Sequence, residues 1–201
     1  GHTIVNHYTY TLVSDGDLME GVASEAAFLA GHLKLGKLVC LYDDNHITLS
    51  AGTDITCTEN RALRFEAYGW HTQTVENGND LATIDRALCS ARAEGERPSL
   101  ILVRTHIGYG SPNKQDTFGA HGSPLGDKEM KLTKQAMGWP LDPPFYIPDE
   151  ALAHFRLALE RGKQANAEWD ARFSDYAKAF PDLAHEFRQA MVGELPEGWE
   201  A

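Results

Sequence analysis

The sequence predicts an α/β protein, with a parallel β-sheet flanked by helices and a C-terminal helical extension. Two runs, 37–42 (KLVCLY) and 99–105 (SLILVRT), are apolar without alternation, which is typical of parallel strands covered on both faces. Helical patterns separate the candidate strands. Such alternation favours a parallel sheet with right-handed crossovers.

The individual elements follow from local patterns. In chain order we predict a strand at 8–14, a helix at 20–35, strands at 37–42 and 71–75 separated by a helix at 59–68, a helix from the turn 77–80 to about 93, and a strand at 99–105. The stretch 107–124 is rich in Gly, Ser, Pro and Asn and predicts a long functional or mobile loop.

The remainder of the chain predicts helices around a Pro-containing run. A short helix is expected at 126–137 and further helix from 149 onward, where an aromatic stripe indicates a packing surface, made of Trp169, Phe173, Tyr176 and Phe180. We therefore predict an α/β core at 1–145 and a helical extension at 146–201.

Composition excludes several classes of function. The 201 residues carry a net charge of −11, which argues against nucleic acid or an anionic membrane surface as a partner. The sequence has no apolar stretch long enough for a membrane span and no signal peptide pattern at its start. Cys40, Cys57 and Cys89 lack metal-site spacing and are expected to be buried free thiols in a reducing cytoplasm.

Oxygen donors follow the first two predicted strands. Asp15 and Gly16 come after the first strand, and Asn45 and Ile47 follow the second. In an open α/β sheet, ligands bind beyond the carboxyl ends of the strands. A carboxylate, an amide oxygen and a backbone carbonyl are hard ligands that suit Mg²⁺ or Ca²⁺ better than zinc.

Each of these elements alone has a simpler interpretation. An Asp-Gly pair after a strand is usually a turn, and the Asp-Asp-Asn run at 43–45 would usually be a solvated loop. Two oxygen-rich loops at the ends of two apolar strands, flanking one helix, favour a metal site over two unrelated turns.

The chain resembles the transketolase family over essentially its whole length. Asp15-Gly16 followed by Asn45 resembles the thiamine-diphosphate motif, with Ser14 where the motif has its first glycine. More specific likenesses are the segments DLMEG, SEAAFLAGHLKLGKL, YDDNHITL, RFEAYGW, VENGNDL, IGYGS and AHGSPL, and the ending from Gly193 to Pro196.

The resemblance implies a set of cofactor contacts. Asp15, Asn45 and the Ile47 carbonyl would be the ligands of Mg²⁺ or Ca²⁺. Gly16 and Asn45 would contact the diphosphate of thiamine diphosphate, and Leu49 and Ile107 would pack near the cofactor.

Three further residues receive a role from the resemblance. His121 would contact the diphosphate and the oxygens of the substrate, although a histidine in a Gly-rich loop is more often a surface residue. Glu20 and Glu25 would lie at the contact of a homodimer and link its two active sites by a proton path. Without the resemblance they are charges at a helix start, favoured by the helix dipole.

The activity implied is transfer of a two-carbon ketol unit from a ketose phosphate to an aldose phosphate, as in the pentose phosphate pathway. We expect the chain to supply the diphosphate and metal half of the site, with a pyrimidine-binding domain or subunit lying outside it. Such a chain would be a fragment or a split subunit, and would be inactive by itself with a poorly ordered loop at 107–122. Alternatives are a related enzyme, such as a dihydroxyacetone synthase or a deoxyxylulose-phosphate synthase-like protein, and a non-catalytic cofactor-binding or interaction module.

Overall fold

A four-stranded parallel sheet organises the larger part of the protein. The structure is a computed structural model that describes residues 2–196 and 198–199. The strands are β1 (Thr9–Ser14), β2 (Leu38–Asp44), β3 (His71–Val75) and β4 (Ser99–Arg104), in the spatial order β1-β2-β4-β3. The predicted fold class, a parallel sheet flanked by helices, is confirmed.

The strands are aligned so that their carboxyl ends lie at one edge of the sheet. Ser14 pairs with Asp43, and Asp43 in turn pairs with Val103 on β4. The strand β2 runs further than the predicted 37–42, because Asp43 and Asp44 continue the ladder with β4. Asp43 and Asp44, which lie beyond the predicted end of this strand, are therefore extended.

Helices cover both faces of the sheet. Their bounds are α1 (Gly21–His32), α2 (Thr53–Thr56), α3 (Arg61–Ala67), α4 (Leu81–Ala93) and α5 (Asp127–Ala136), with short 3-10 helices at Asp17–Met19 and Phe118–Ala120. One core cluster joins α1 and α3 to the sheet around Tyr42 and Trp70, and the other joins α4 to the sheet around Val39 and Ile101. The unalternating apolar strands are thus buried on both sides.

A second compact unit combines the segment before His7 with the segment after Pro144. It contains α6 (Asp149–Ala179) and α7 (Pro181–Met191). The predicted aromatic stripe packs within it: the rings of Trp169 and Phe173 stack 5.0 Å apart, and the Trp169 indole donates to the carbonyl of Ile4 at 2.8 Å. Residues 2–6, predicted as part of the α/β core, therefore group with the helices. Positions 1, 197, 200 and 201 of the two predicted domains lie outside the described residues.

The three cysteines are free, but they differ in exposure. Cys40 is buried on β2, where burial raises the pKa of its thiol to about 12. Cys89 is exposed on α4 and Cys57 is half-buried, so burial holds for Cys40 and is wrong for Cys89. No helix among the described residues has the length and apolarity of a membrane span.

Candidate functional site

Asp15 is buried at the carboxyl end of β1. Only 1% of the residue is exposed. Its Oδ1 accepts a hydrogen bond of 2.5 Å from the Tyr42 hydroxyl and lies 3.2 Å from Nη2 of Arg61. Its Oδ2 is buried and has no hydrogen-bond partner among the residues that the structure describes. A buried carboxylate oxygen without a partner is costly, and it marks a position suited to a ligand.

The turn after β1 is stabilised by hydrogen bonds between Ser14 and Asp17, which lie before and after Asp15. The side chain of Asp17 accepts from the backbone N–H and from the hydroxyl of Ser14, each at 2.8 Å. Ser14 thus takes part in the turn through its hydroxyl. Gly16 has φ −63, which any residue adopts, but the space where its side chain would lie is open. A ligand can therefore approach the backbone there closely.

Asn45 lies beside this turn, at the end of β2, and is 8% exposed. Its Oδ1 accepts from the backbone N–H of Ile47 at 2.9 Å, which leaves one lone pair on the amide oxygen. The chain reverses at His46, whose φ of +63 is left-handed. It then forms an antiparallel bridge between Ile47 and Gly52.

The electrostatics at Asp15 are dominated by its burial. Burial raises the pKa of the Asp15 carboxyl, and the Tyr42 hydrogen bond and the Arg61 guanidinium oppose this without cancelling it. Burial, reinforced by the bond to Asp15, also raises the pKa of Tyr42. Tyr42 therefore keeps its proton at neutral pH and shares it between Asp15 and Asp44, whose Oδ1 lies at 3.0 Å.

The donors at this edge fit a hard divalent cation. Asp15 Oδ2 is unpartnered, Asn45 Oδ1 has spare capacity, and the space beside Gly16 is open. Among the described residues, no three His, Cys, Asp or Glu side chains converge on one point. That finding does not count against the predicted donors Asp15, Asn45 and Ile47, because Asp15 alone among these three belongs to those residue types.

Ile107 follows β4, whose carboxyl end lies at the same edge of the sheet. A cavity of about 480 Å³ is lined by residues from the ends of β1, β2 and β4 together with Ile107. The hydroxyl of Thr105 donates to the carboxylate of Asp43, which ties the end of β4 to that of β2.

His121 ends a loop that carries its own hydrogen bonds. Its ring is half-buried, and within the described part of the chain its buried Nδ1 has no hydrogen-bond partner. The carboxylate of Glu129 on α5 fastens the loop by accepting from the Ser111 hydroxyl at 2.5 Å and from the backbone and side chain of Asn113 at 2.9 Å. These bonds fasten residues 111–113 to α5, and poor order of the loop at 107–122 stays a prediction.

The remaining predicted residues are exposed. Leu49 is 71% exposed in the loop after β2. Glu20 immediately precedes α1 and Glu25 lies on it, both open to solvent. The same helix exposes large apolar side chains, namely Val22, Phe28, Leu29 and, just beyond its end, Leu33.

Sequence reasoning missed three residues that shape this site. Tyr42 could have been found, because it lies two residues after Cys40 and so on the same face of a strand that is buried on both sides. Arg61 carried no such signal, since an arginine at a helix start is normally a surface residue. Glu129 was likewise read only as part of a short helix.

Comparison with known proteins agrees with this arrangement. A family model described as transketolase, thiamine diphosphate binding domain, matches residues 1–196. The chain is 52% identical over its full length to a transketolase of Geobacillus stearothermophilus, of which it covers 30%, and 47% identical over 98% of its length to that of Bacillus subtilis, again covering 30%.

Solved structures give the same result. The transketolase of Leishmania mexicana superimposes with a TM-score of 0.91 and 38% identity, over 99% of this chain and 30% of the other. The transketolase of Pichia stipitis in complex with sedoheptulose 7-phosphate gives 0.90 and 36%, over 98% and 29%. The chain thus spans about 30% of the length of these relatives. It belongs to the transketolase family, and the part of that family it matches is the thiamine diphosphate binding domain.

Proposed function

We propose that this chain supplies the diphosphate and metal half-site of a transketolase. The reaction would be thiamine-diphosphate- and Mg²⁺-dependent transfer of a two-carbon ketol unit from a ketose phosphate to an aldose phosphate. The observation that carries the proposal is the pair of buried oxygen donors, Asp15 and Asn45, at the ends of neighbouring strands, with one Asp15 oxygen unpartnered.

In this proposal Asp15, Asn45 and the carbonyl of Ile47 hold Mg²⁺, or Ca²⁺ in its place. Gly16 and Asn45 contact the diphosphate from the open side of the turn. The chain carries a net charge of −11, so a diphosphate anion needs a metal cation and backbone N–H groups to offset the repulsion.

The remaining residues orient the reactants and exclude water. Bound thiamine diphosphate supplies the carbon nucleophile and holds the electron pair of the transferred unit. His121, whose ring is half-buried, would contact diphosphate and substrate oxygens; among the described residues its Nδ1 has no hydrogen-bond partner. Ile107 and Leu49 provide apolar walls. The pyrimidine end of the cofactor would be held by another domain or subunit.

We also infer that α1 forms the contact of a homodimer. Val22, Phe28, Leu29 and Leu33 are each more than half exposed along this helix, and exposed apolar clusters of this kind mark association surfaces. Glu20 and Glu25 at the same contact would face their copies across a two-fold axis and could share a proton. Free cysteines are consistent with a reducing, cytoplasmic location.

The test of the metal site is replacement of Asp15 by Asn. We expect thiamine diphosphate binding in the presence of Mg²⁺, measured by titration calorimetry, to weaken by about 100-fold or more, because even groups that only orient metal ligands are worth about 10- to 100-fold. Asp85→Asn makes the same change of charge at an exposed position of α4 and should leave binding unchanged. Equal affinities in the two variants would refute the assignment of Asp15.

A further inference from the structure

Arg61 is a buried cation in contact with the proposed metal ligand. It is the first residue of α3 and only 9% exposed. Its Nη2 lies 3.2 Å from Oδ1 of Asp15, and its guanidinium sits 5.3 Å from the centre of the Tyr42 ring. A buried arginine is stable only with a compensating anion, and Asp15 is the buried anion beside it.

The contact is electrostatic rather than directional. Although Nη2 is near Asp15, neither it nor Nε makes a well-aligned hydrogen bond with any residue in the described ranges, 2–196 and 198–199. The neighbouring Arg64 differs, because it donates to the hydroxyl of Ser24 at 2.8 Å and to the carbonyl of Leu18 at 2.9 Å. Arg61 is therefore held by charge and by the face of an aromatic ring, and few hydrogen bonds must break for it to move.

A cavity beside Arg61 can receive a displaced guanidinium. It measures about 350 Å³ and is lined by Arg61 together with Asp44, Glu59 and Asn60. Asp44 provides a carboxylate that a displaced guanidinium can approach, whereas Oε1 of Glu59 is already paired with Nη2 of Arg64 at 2.8 Å. Its other lining groups include Tyr42 and His46, which places the cavity alongside the end of β2.

We propose that Arg61 is the resident cation of the metal site, so that metal binding at Asp15 is an exchange of one cation for another. The proposal rests on the proposed function, in which Asp15 is a metal ligand. A divalent cation and a guanidinium on one buried carboxylate repel each other strongly. The metal therefore displaces Arg61 into the neighbouring cavity, and Arg61 lowers the affinity of the site for a metal ion alone.

The exchange can be followed in the unmodified protein by arginine labelling. Phenylglyoxal modifies accessible guanidinium groups, and peptide mass spectrometry reports each arginine separately. Addition of Ca²⁺ without diphosphate should speed the labelling of Arg61 by about tenfold, the factor expected for loss of about 1.4 kcal/mol of protection. Arg97 is the internal control and should keep its rate, since it pairs with Glu94 at 2.7 Å and neither residue lines the cavity. An unchanged rate at Arg61 under saturating Ca²⁺ would overturn the proposal.

A variant tests the effect on affinity. Tb³⁺, a luminescent substitute for Ca²⁺, would be sensitised by Tyr42, whose hydroxyl touches Asp15. Arg61→Met keeps the apolar stem and removes the charge, so it should bind Tb³⁺ about tenfold more tightly, whereas Arg61→Lys should resemble the parent.

Asp15→Asn separates the two proposals, because it should lose the Tyr42-sensitised signal if Asp15 is a ligand. Persistence of that signal would refute the metal site itself. If the signal is lost in Asp15→Asn, unchanged labelling of Arg61 or unchanged Tb³⁺ affinity in folded Arg61→Met would refute the exchange alone. The labelling result stands even if Arg61→Met fails to fold.

Discussion

Replacing Tyr42 by Phe isolates the hydroxyl that touches the candidate metal ligand. The ring is 1% exposed, and Phe preserves its packing and its contact with Arg61. The change removes one donor shared between Asp15 at 2.5 Å and Asp44 at 3.0 Å. Asp15 then keeps the charge of Arg61 beside it, and neither carboxylate oxygen has a hydrogen bond from a described residue.

The magnitude follows from the burial of the acceptor. A hydrogen bond to a charged group contributes about 1.5–3 kcal/mol, and water cannot replace it at a residue as buried as Asp15. Loss of the hydrogen bond from Tyr42 to Asp44 costs less free energy, because the Asp44 side chain is 21% exposed and water can replace the lost donor. We therefore expect Tyr42→Phe to lower the free energy of unfolding of the sheet by about 2–3 kcal/mol.

The assay is hydrogen exchange of peptides covering β2 and β4 in the metal-free protein at neutral pH. Tyr8→Phe is the matched control, because the Tyr8 hydroxyl donates to the carbonyl of Arg92 at 3.0 Å in an exposed setting. It should cost about 1 kcal/mol or less. If Tyr42→Phe costs no more than Tyr8→Phe, the reasoning about the buried carboxylate is wrong.

Two further predictions concern packing and the loop. Gly31→Ala should destabilise the α/β unit by about 3 kcal/mol in urea denaturation, because the new Cβ would lie 1.9 Å from the backbone carbonyl oxygen of Tyr68, after α3. Gly162→Ala, at an open position of α6, should instead stabilise its helix by about 1 kcal/mol. Similar effects of the two substitutions on the free energy of unfolding would contradict this reasoning. Hydrogen bonds from Ser111 and Asn113 lower the pKa of the Glu129 carboxyl below its ordinary value of 4.5. The contribution of Glu129 to loop stability is therefore complete above pH 4.5 and is lost as the pH falls through the lowered pKa of the folded state. Hydrogen-exchange protection of residues 107–124 should therefore decrease in acid. Glu129→Gln should show reduced protection that does not change with pH. If protection still decreases in acid in this variant, Glu129 is not the cause of the decrease.

Much of the fold could be predicted because local patterns and tertiary structure agree. The apolar run at 99–105 becomes a strand buried on both faces, and Asp80 caps α4 by accepting from Ala82 and Thr83, as the Asn-Gly-Asn-Asp turn indicates. Helix ends were less accurate. The predicted helix 20–35 ends at His32, with Leu33 as its C-cap, because Lys34 adopts a left-handed φ of +53, which a lysine does not indicate in the sequence.

The site was predictable only in part, for a physical reason. Asp15 and Asn45 each follow a strand, so sheet topology alone brings them to one edge. The pairing of Arg61 with Asp15 depends on how α3 packs against the sheet, and no local pattern encodes that packing. The hydrogen bonds of Glu129 likewise join α5 to a loop that has no periodicity.

The alignment of β1 with β2 has a consequence for how this site can evolve. Ser14 on β1 pairs with Asp43 on β2, so the spacing between the two donor segments is set by the distance between neighbouring strands, about 4.8 Å. The crossover through α1 can therefore lengthen or shorten while the donors stay in place, provided that the strand alignment survives. Insertion of a single residue within β1 or β2 has the opposite effect, because it turns every following side chain to the other face of the sheet. Variation among relatives should accordingly be tolerated in the connections and excluded from the last residues of these two strands.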